Sequence, residues 1–363
     1  MDKSPFSATR IWSIRFLVWV FRHLSNAALS IGYPRTYAND GPLGFVYDQV
    51  GGYYIKWAAS DSDEPTYVAE SDEYAKYSMA VMPTAPVIAS TFNVELVERE
   101  GELLGEESLW ANDASMFGPG LNLHRSPYCA RNHEYYSEDP MLTNLIGDAV
   151  CKGGAKKGVM MEPKHFAFNH QEMNRSGVST FFTEQAGRET ELRGFQGAMQ
   201  SNNAKGVMTA FNRVGTVYSG ADEGIQIQIA RNEWGYTGWF VTDMINGADY
   251  MNWKDAVYGG AGTMLANNTS YNETEWGSMT ANKSKIAADT EFQLKMKEAI
   301  KYYAYTTAGS NAMNGITSDV EMLYVRTWWQ NAITAAVVVS GVLTAGFAVL
   351  YVLKVVKGRK EQR

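Results

Sequence analysis

Residues 231–244 read RNEWGYTGWFVTDM. The bulky apolar run Trp239-Phe240-Val241 stops abruptly at Thr242-Asp243. So short and apolar a run suits a strand buried on both faces, as in a parallel sheet covered by helices. A carboxylate at its C-terminal end would point into the mouth of a barrel, where such folds keep their chemistry. Taken alone, Asp243 reads equally well as an aspartate capping the next helix.

The same grammar continues on either side. Val94–Ser108 is expected as helix, Leu121–His124 as strand, and Asp139–Lys156 as helix. Gly158–Met161 is expected as a strand leading to Lys164-His165. Glu184–Ser201 then reads as one helix, Gly206–Phe211 as strand, Ala221–Asn232 as helix and Trp239–Thr242 as strand. Residues 286–307 read as helix, and the polar stretches 51–80 and 266–284 as surface loops. Strand and helix in alternation imply a parallel sheet, either a barrel or doubly wound.

Composition narrows the function. The chain has 363 residues, 45% hydrophobic and 20% charged, enough for a packed core. A net charge of −7 argues against a nucleic-acid partner, which would need clustered Lys and Arg. The 10 Trp and 21 Tyr suit ligands with flat apolar faces, sugars among them, and equally suit ordinary core packing. Cys129 and Cys151 form neither a disulfide framework nor a zinc pattern, and are expected as two free buried thiols.

The ends differ from the middle. Ala332–Leu353 carries no charge, and its length spans a bilayer core of roughly 30 Å. Trp328 and Trp329 precede it, and Lys354, Lys357, Arg359, Lys360 and Arg363 follow. By the positive-inside rule the tail is cytoplasmic and the large domain outside, a single-pass protein of the cell membrane. Residues 11–31 are apolar but interrupted by Arg15, Arg22 and His23. They fit a poor signal or anchor, an amphipathic surface helix, or the remnant of a longer chain. The expected divisions are 1–32, a barrel domain over 33–310, a linker over 311–330, a transmembrane helix over 331–353 and a basic tail over 354–363.

Few residues could carry chemistry. Lys164 and His165 end the strand in GVMMEPKHF, where they could bind hydroxyls or simply face solvent. RNHEYYSEDP places Arg131, Glu134, Glu138 and Asp139 within nine residues, a cluster that also suits a salt-bridged loop. There is no phosphate-binding glycine loop, no GxSxG and no HExxH. The five histidines fall into no ligand pattern, so neither a metal nor a cofactor is expected.

Five segments in order then carry a resemblance: NDGPLG (39–44), GPGLNLHRSPYCARNHEYYSEDP (118–140), KHFAFNHQEMNR (164–175), VMTAFNRVGT (207–216) and RNEWGYTGWFVTDM (231–244). Together they resemble the barrel domain of family 3 glycoside hydrolases, over roughly residues 33–265. The resemblance implies a TIM-like (β/α)8 barrel with its first strand and helix degenerate or missing. It implies a retaining exo-β-glycosidase, β-glucose leading among sugars, with Asp243 as nucleophile. Asp40, Arg131, Lys164, His165 and Arg175 match the residues that hold the sugar's hydroxyls. Phe211 stands where the family usually has Tyr, and Met244 where it usually has Trp. The family's acid/base Glu lies on another domain, so a partner chain or domain is expected to supply it; Glu162 is a weak substitute. The alternatives are a membrane-anchored sugar-binding pseudoenzyme or a truncated, inactive barrel.

Overall fold

The computed structural model describes residues 23–25, 36–41, 43–45, 80, 82–111, 113–245, 250–265, 283–314 and 328–361. The chain separates into two units, Met1–Asp319 and Val320–Arg363. The polar loops expected over 51–80 and 266–284 fall almost wholly outside the described residues, as does the apolar N-terminal segment apart from a short strand.

The first unit is built on parallel strands. Strands β1 (His23–Ser25) and β2 (Thr36–Asp40) pair antiparallel. Strand β2 then runs parallel to β3 (Ser115–Phe117), and β3 to β4 (Met160–Met161). Beyond β4 the wall continues through a parallel bridge from Phe166 to Thr209, next to β6 (Gly206–Met208). Strand β6 pairs in parallel with β9 (Trp239–Val241), and Val241 bridges to Thr263. The described wall thus has six parallel segments, of the eight that a full barrel would have. The first strand and helix were expected to be degenerate or missing; strand β2 carries Asp40 at its end, and residues 46–79 lie outside the described residues.

Between β5 (Ser179–Thr180), β7 (Arg213–Val214) and β8 (Val217–Tyr218) a separate small sheet forms, its strands in the order β5-β7-β8.

Helices cover the wall. They are α1 (Ala85–Ala89), α2 (Val94–Ala111), α3 (Pro140–Lys156), α4 (Glu184–Glu189) and α5 (Glu191–Gln200). After these come α6 (Gly224–Glu233), α7 (Trp253–Gly259), α8 (Lys283–Ala288) and α9 (Thr290–Ala308). The start of α3 follows from its sequence: Asp139 accepts from the N–H groups of Met141 and Leu142 at 2.7 and 2.9 Å, and Pro140 occupies the first turn. Helices α2 and α3 approach closely at glycines. A Cβ on Gly153 would lie 2.0 Å from the Glu98 carbonyl, and one on Gly101 2.2 Å from that of Val150.

Side chains alternate between two buried layers, as the period of a strand requires. Met116, Met161, Val207 and Phe240 face the helices, in a cluster with Ile146, Phe195 and Ile229. Phe117, Met160, Met208, Trp239 and Val241 face the barrel interior. Tyr303 of α9 meets Trp239 edge-on, with ring centroids 4.6 Å apart. Cys129 and Cys151 are free and buried.

Several sequence expectations are corrected here. Glu184–Ser201 is two helices, broken at Thr190, whose hydroxyl turns back to the Ala186 carbonyl at 2.5 Å. Residues 286–307 are likewise divided at Asp289, whose side chain accepts from the Phe292 N–H and starts α9. Segment α6 winds as a π-helix. Leu121–His124 forms no strand. Leu121 bonds the Lys164 carbonyl, and past it the chain departs toward the Asn132–Glu134 turn.

The second unit holds α10 (Trp328–Glu361). Within it, Asn331–Tyr351 is long and apolar enough to cross a membrane, by length and composition.

Candidate active site

The alternation of the strands determines which side chains meet. Trp239 and Val241 face the interior, so two residues on Asp243 does too. Met160 faces the interior, and the same parity brings in Glu162 and then Lys164. Ala38 packs against the inner cluster, so Asp40 follows it inward. Three strand ends therefore deliver Asp40, Lys164 and Asp243 to the C-terminal end of the wall.

Lys164 Nζ lies 2.5 Å from Asp40 Oδ1, with the lysine nearly buried and the aspartate 40% exposed. His165 Nε2 lies 3.5 Å from Asp243 Oδ2. The His165 backbone is fixed by one side chain: Asn122 Oδ1 accepts its N–H at 2.7 Å, and Asn122 Nδ2 donates to its carbonyl at 2.9 Å. Asp243 Oδ1 accepts the Met244 N–H at 2.7 Å.

Two loops bring in the arginines. Arg131 pairs with Glu134 at the Asn132–Glu134 turn. Glu172 lies between the guanidiniums, 3.7 Å from Arg131 Nη1 and 2.6 Å from Arg175 Nη1. Asn169 Nδ2 donates to Glu172 at 3.1 Å. The Arg175 guanidinium in turn sits 4.3 Å over the Phe211 ring. The Phe211 carbonyl accepts from Tyr250 Oη at 2.8 Å.

The electrostatics follow from burial and these cations. Burial pushes the Asp243 carboxyl up to about 6, while the Met244 N–H and the charges of Arg131, Arg175 and Lys164 pull it back. Near neutral pH it is mostly ionised. Burial, with the same three cations, drives the His165 imidazole well below its usual range, so it is neutral. Its contact with Asp243 is then a polar contact to a neutral ring and not an ion pair. Glu162 lies deeper on the inner face, 1% exposed and bonded to the Ser115 hydroxyl. Burial pushes its carboxyl up to about 8, so it is protonated at pH 7. Its depth takes it away from the mouth and from the acid/base role.

The site thus gathers the sequence-expected residues Asp40, Arg131, Lys164, His165, Arg175, Phe211, Asp243 and Met244. It adds Asn122, Asn169, Glu172 and Tyr250, which the motifs did not single out. Glu172 had one legible signal, its spacing of three residues from Arg175. Among the described residues, no group of three or more His, Cys, Asp or Glu is placed to hold a metal.

Residues 73–264 match the N-terminal domain of glycosyl hydrolase family 3, and the chain belongs to that family. It is 36% identical over 162 residues to a beta-glucosidase of Ruminococcus albus, covering 45% of this chain and 17% of that protein. It is 38% identical over 161 residues to thermostable beta-glucosidase B of Acetivibrio thermocellus, covering 44% of this chain and 21% of that protein. In three dimensions it is similar to beta-glucosidase 3B of Thermotoga neapolitana in complex with α-D-glucose. The TM-score is 0.67 at 27% identity, over 80% of this chain and 38% of that one. The wall described above is therefore the TIM-like barrel of this family. The matched region spans about a fifth of the two beta-glucosidases compared by sequence.

Proposed function

We propose that this chain is a retaining exo-β-glycosidase of β-glucosidase type, acting on terminal β-linked sugars through a covalent intermediate on Asp243. The observation that carries this reading is Asp243 itself. It is an inward-facing carboxylate at a strand end, ionised near neutral pH and surrounded by three cations. In the first step the Asp243 carboxylate attacks the anomeric carbon as the glycosidic bond breaks, and the leaving oxygen takes a proton from an acid. In the second, water displaces Asp243 and releases the sugar.

Asp40, Lys164, Arg131, His165 and Arg175 are the residues that hold the sugar. Charge-assisted hydrogen bonds suit a polyhydroxylated ring, and the Asp40–Lys164 pair offers an acceptor and a donor side by side. Neutral His165 offers a ring nitrogen at the carboxylate's edge. Phe211 backs Arg175, and Met244 gives an apolar wall beside the nucleophile.

Retention needs a second carboxyl roughly 5–5.5 Å from the first. Glu134 and Glu172 are committed to the arginines and Glu162 is too deep. Among the described residues none is left for the acid/base role, and a partner chain, a further domain or another segment of this chain supplies it. Helix α10 anchors the protein in the cell membrane by a single pass, with the catalytic domain outside and the basic tail in the cytoplasm.

The test uses the full chain in detergent micelles, incubated with a 2-deoxy-2-fluoro β-glucoside bearing a dinitrophenyl leaving group. That group departs as the phenolate without a general acid, so the nucleophile is isolated. A peptide adduct on Asp243 by mass spectrometry is the expected result. A folded chain that takes no adduct from gluco-, xylo- or galacto-configured reagents would overturn the reading.

A further inference from the structure

Arg175 and Phe211 stack across two separate segments, the loop after β4 and the end of β6. Such a stack can orient a guanidinium only if both segments are held in place. One hydroxyl joins them. Tyr250 Oη donates to the Phe211 carbonyl at 2.8 Å. The Ser176 hydroxyl and the Gly177 N–H, from the two residues after Arg175, face the same phenol oxygen as donors. A Cβ on Gly177 would lie 3.7 Å from Tyr250 Cε1, so that backbone runs against the ring. The phenol gives its one proton to the Phe211 side and its lone pairs to the Arg175 side.

The ring of Tyr250 is itself clamped. Arg213 Cζ lies 4.3 Å over its face, and the same guanidinium donates to the Gly177 carbonyl. The Arg213 N–H donates to the Val178 carbonyl at 2.8 Å, and Arg213 pairs with Ser179 where β5 meets β7. Tyr218 meets the ring edge-on, with centroids 5.7 Å apart.

Arg175 needs this support. Glu172 holds it at Nη1, 2.6 Å away, and a guanidinium held at one corner can pivot about that contact. The Phe211 ring beneath it blocks the pivot. Tyr250 ties the Phe211 backbone to the backbone that follows the arginine.

We propose that Tyr250 is a positioning residue for Arg175, its hydroxyl locking the Phe211 platform to the segment that carries the arginine. This rests on the reading of Arg175 as a cation that holds the sugar, but one of its two readouts needs no chemistry.

The experiment follows the Arg175 Nε–H signal by proton–nitrogen NMR of the full chain in micelles, labelled at arginine. Arg175→Lys identifies the resonance. A proton above a ring face is shifted upfield, so the signal reports the stack. Tyr250→Phe keeps the ring and removes the hydroxyl, and the signal should move downfield, toward that of an unstacked arginine. Tyr258→Phe removes a different phenol hydroxyl, one bonded to Asp289 at 3.3 Å, and should leave the signal in place. Should Tyr250→Phe not fold, Ser176→Ala tests the same junction from its exposed side and should move the signal the same way. An unmoved signal in the variant read, or an equal movement in Tyr258→Phe, overturns the proposal.

Trapping of Asp243 by the fluoroglucoside is the second readout. Loss of one internal hydrogen bond should slow it about threefold to tenfold. In a Phe211→Leu background the platform is already gone, so Tyr250→Phe should slow trapping no further. Losses that multiply in full overturn the proposal. A wild-type chain whose Arg175 signal responds as stated yet forms no adduct strikes only at the reading of Asp243 as nucleophile, so the two failures are distinct.

Discussion

The guanidinium of Arg175 lies 4.3 Å over the face of Phe211. The contact joins the loop after β4 to the end of β6, and it aims a cation at the site from an apolar platform. A cation over a ring is worth about 0.5–2 kcal/mol, according to exposure. Phe211→Leu keeps an apolar side chain and loses the ring face. The second-order rate constant for trapping Asp243 should fall about 2- to 30-fold, measured by intact mass against time.

Glu172 holds both arginines, at 3.7 Å and 2.6 Å. Glu172→Gln keeps the shape but leaves two guanidiniums without their common counter-charge. The geometry of the site should loosen, and trapping should slow by about tenfold or more. Glu172→Asp should recover part of the loss. A variant that traps at the wild-type rate would show that Glu172 does not position the pair.

Asp243 is held in an environment that disfavours its charge. Its folded-state value, about 6, lies above the usual 3.8. The sign follows: the protonated form favours folding, so this contribution is fully present below about pH 4 and lost as pH rises through 6. Asp243→Asn removes the buried charge. At pH 7 it should stabilise the barrel by up to about 3 kcal/mol, and at pH 4 the difference should vanish. Thermal unfolding at the two pH values checks this.

Gly153 sits where α2 and α3 nearly touch, its missing Cβ 2.0 Å from the Glu98 carbonyl. The obstruction is backbone, which cannot swing aside. Gly153→Ala should destabilise by about 1–3 kcal/mol despite the better helix propensity of alanine, read as a lower melting temperature.

Much of this was legible in the sequence where one residue type has one physical use. Trp239-Phe240-Val241 before Asp243 marked a buried strand, and Asp139-Pro140 marked a helix start. The breaks at Thr190 and Asp289 were hidden inside runs of good helix formers, although Asp289 is itself an N-cap residue type. Asp40, Lys164 and Asp243 were legible as candidates because each follows a strand end, whereas Arg131 and Arg175 arrive on loops and were legible only through the resemblance. What stayed hidden were roles created between segments. Glu172 matters through Arg131, 41 positions away, and Asn122 through His165, 43 positions away.

The alternation along β9 also determines how this gene can change. Deleting or inserting one residue within Trp239–Val241 would turn Asp243 toward the helix layer and present Thr242 to the barrel interior, because successive side chains face opposite ways. A two-residue change would keep the facing but shift the carboxylate by about 6.6 Å along the strand. Substitutions in β9 can be gradual, whereas length changes there are all-or-none, so lineages of this barrel should vary in loop length and hold the length of this strand fixed.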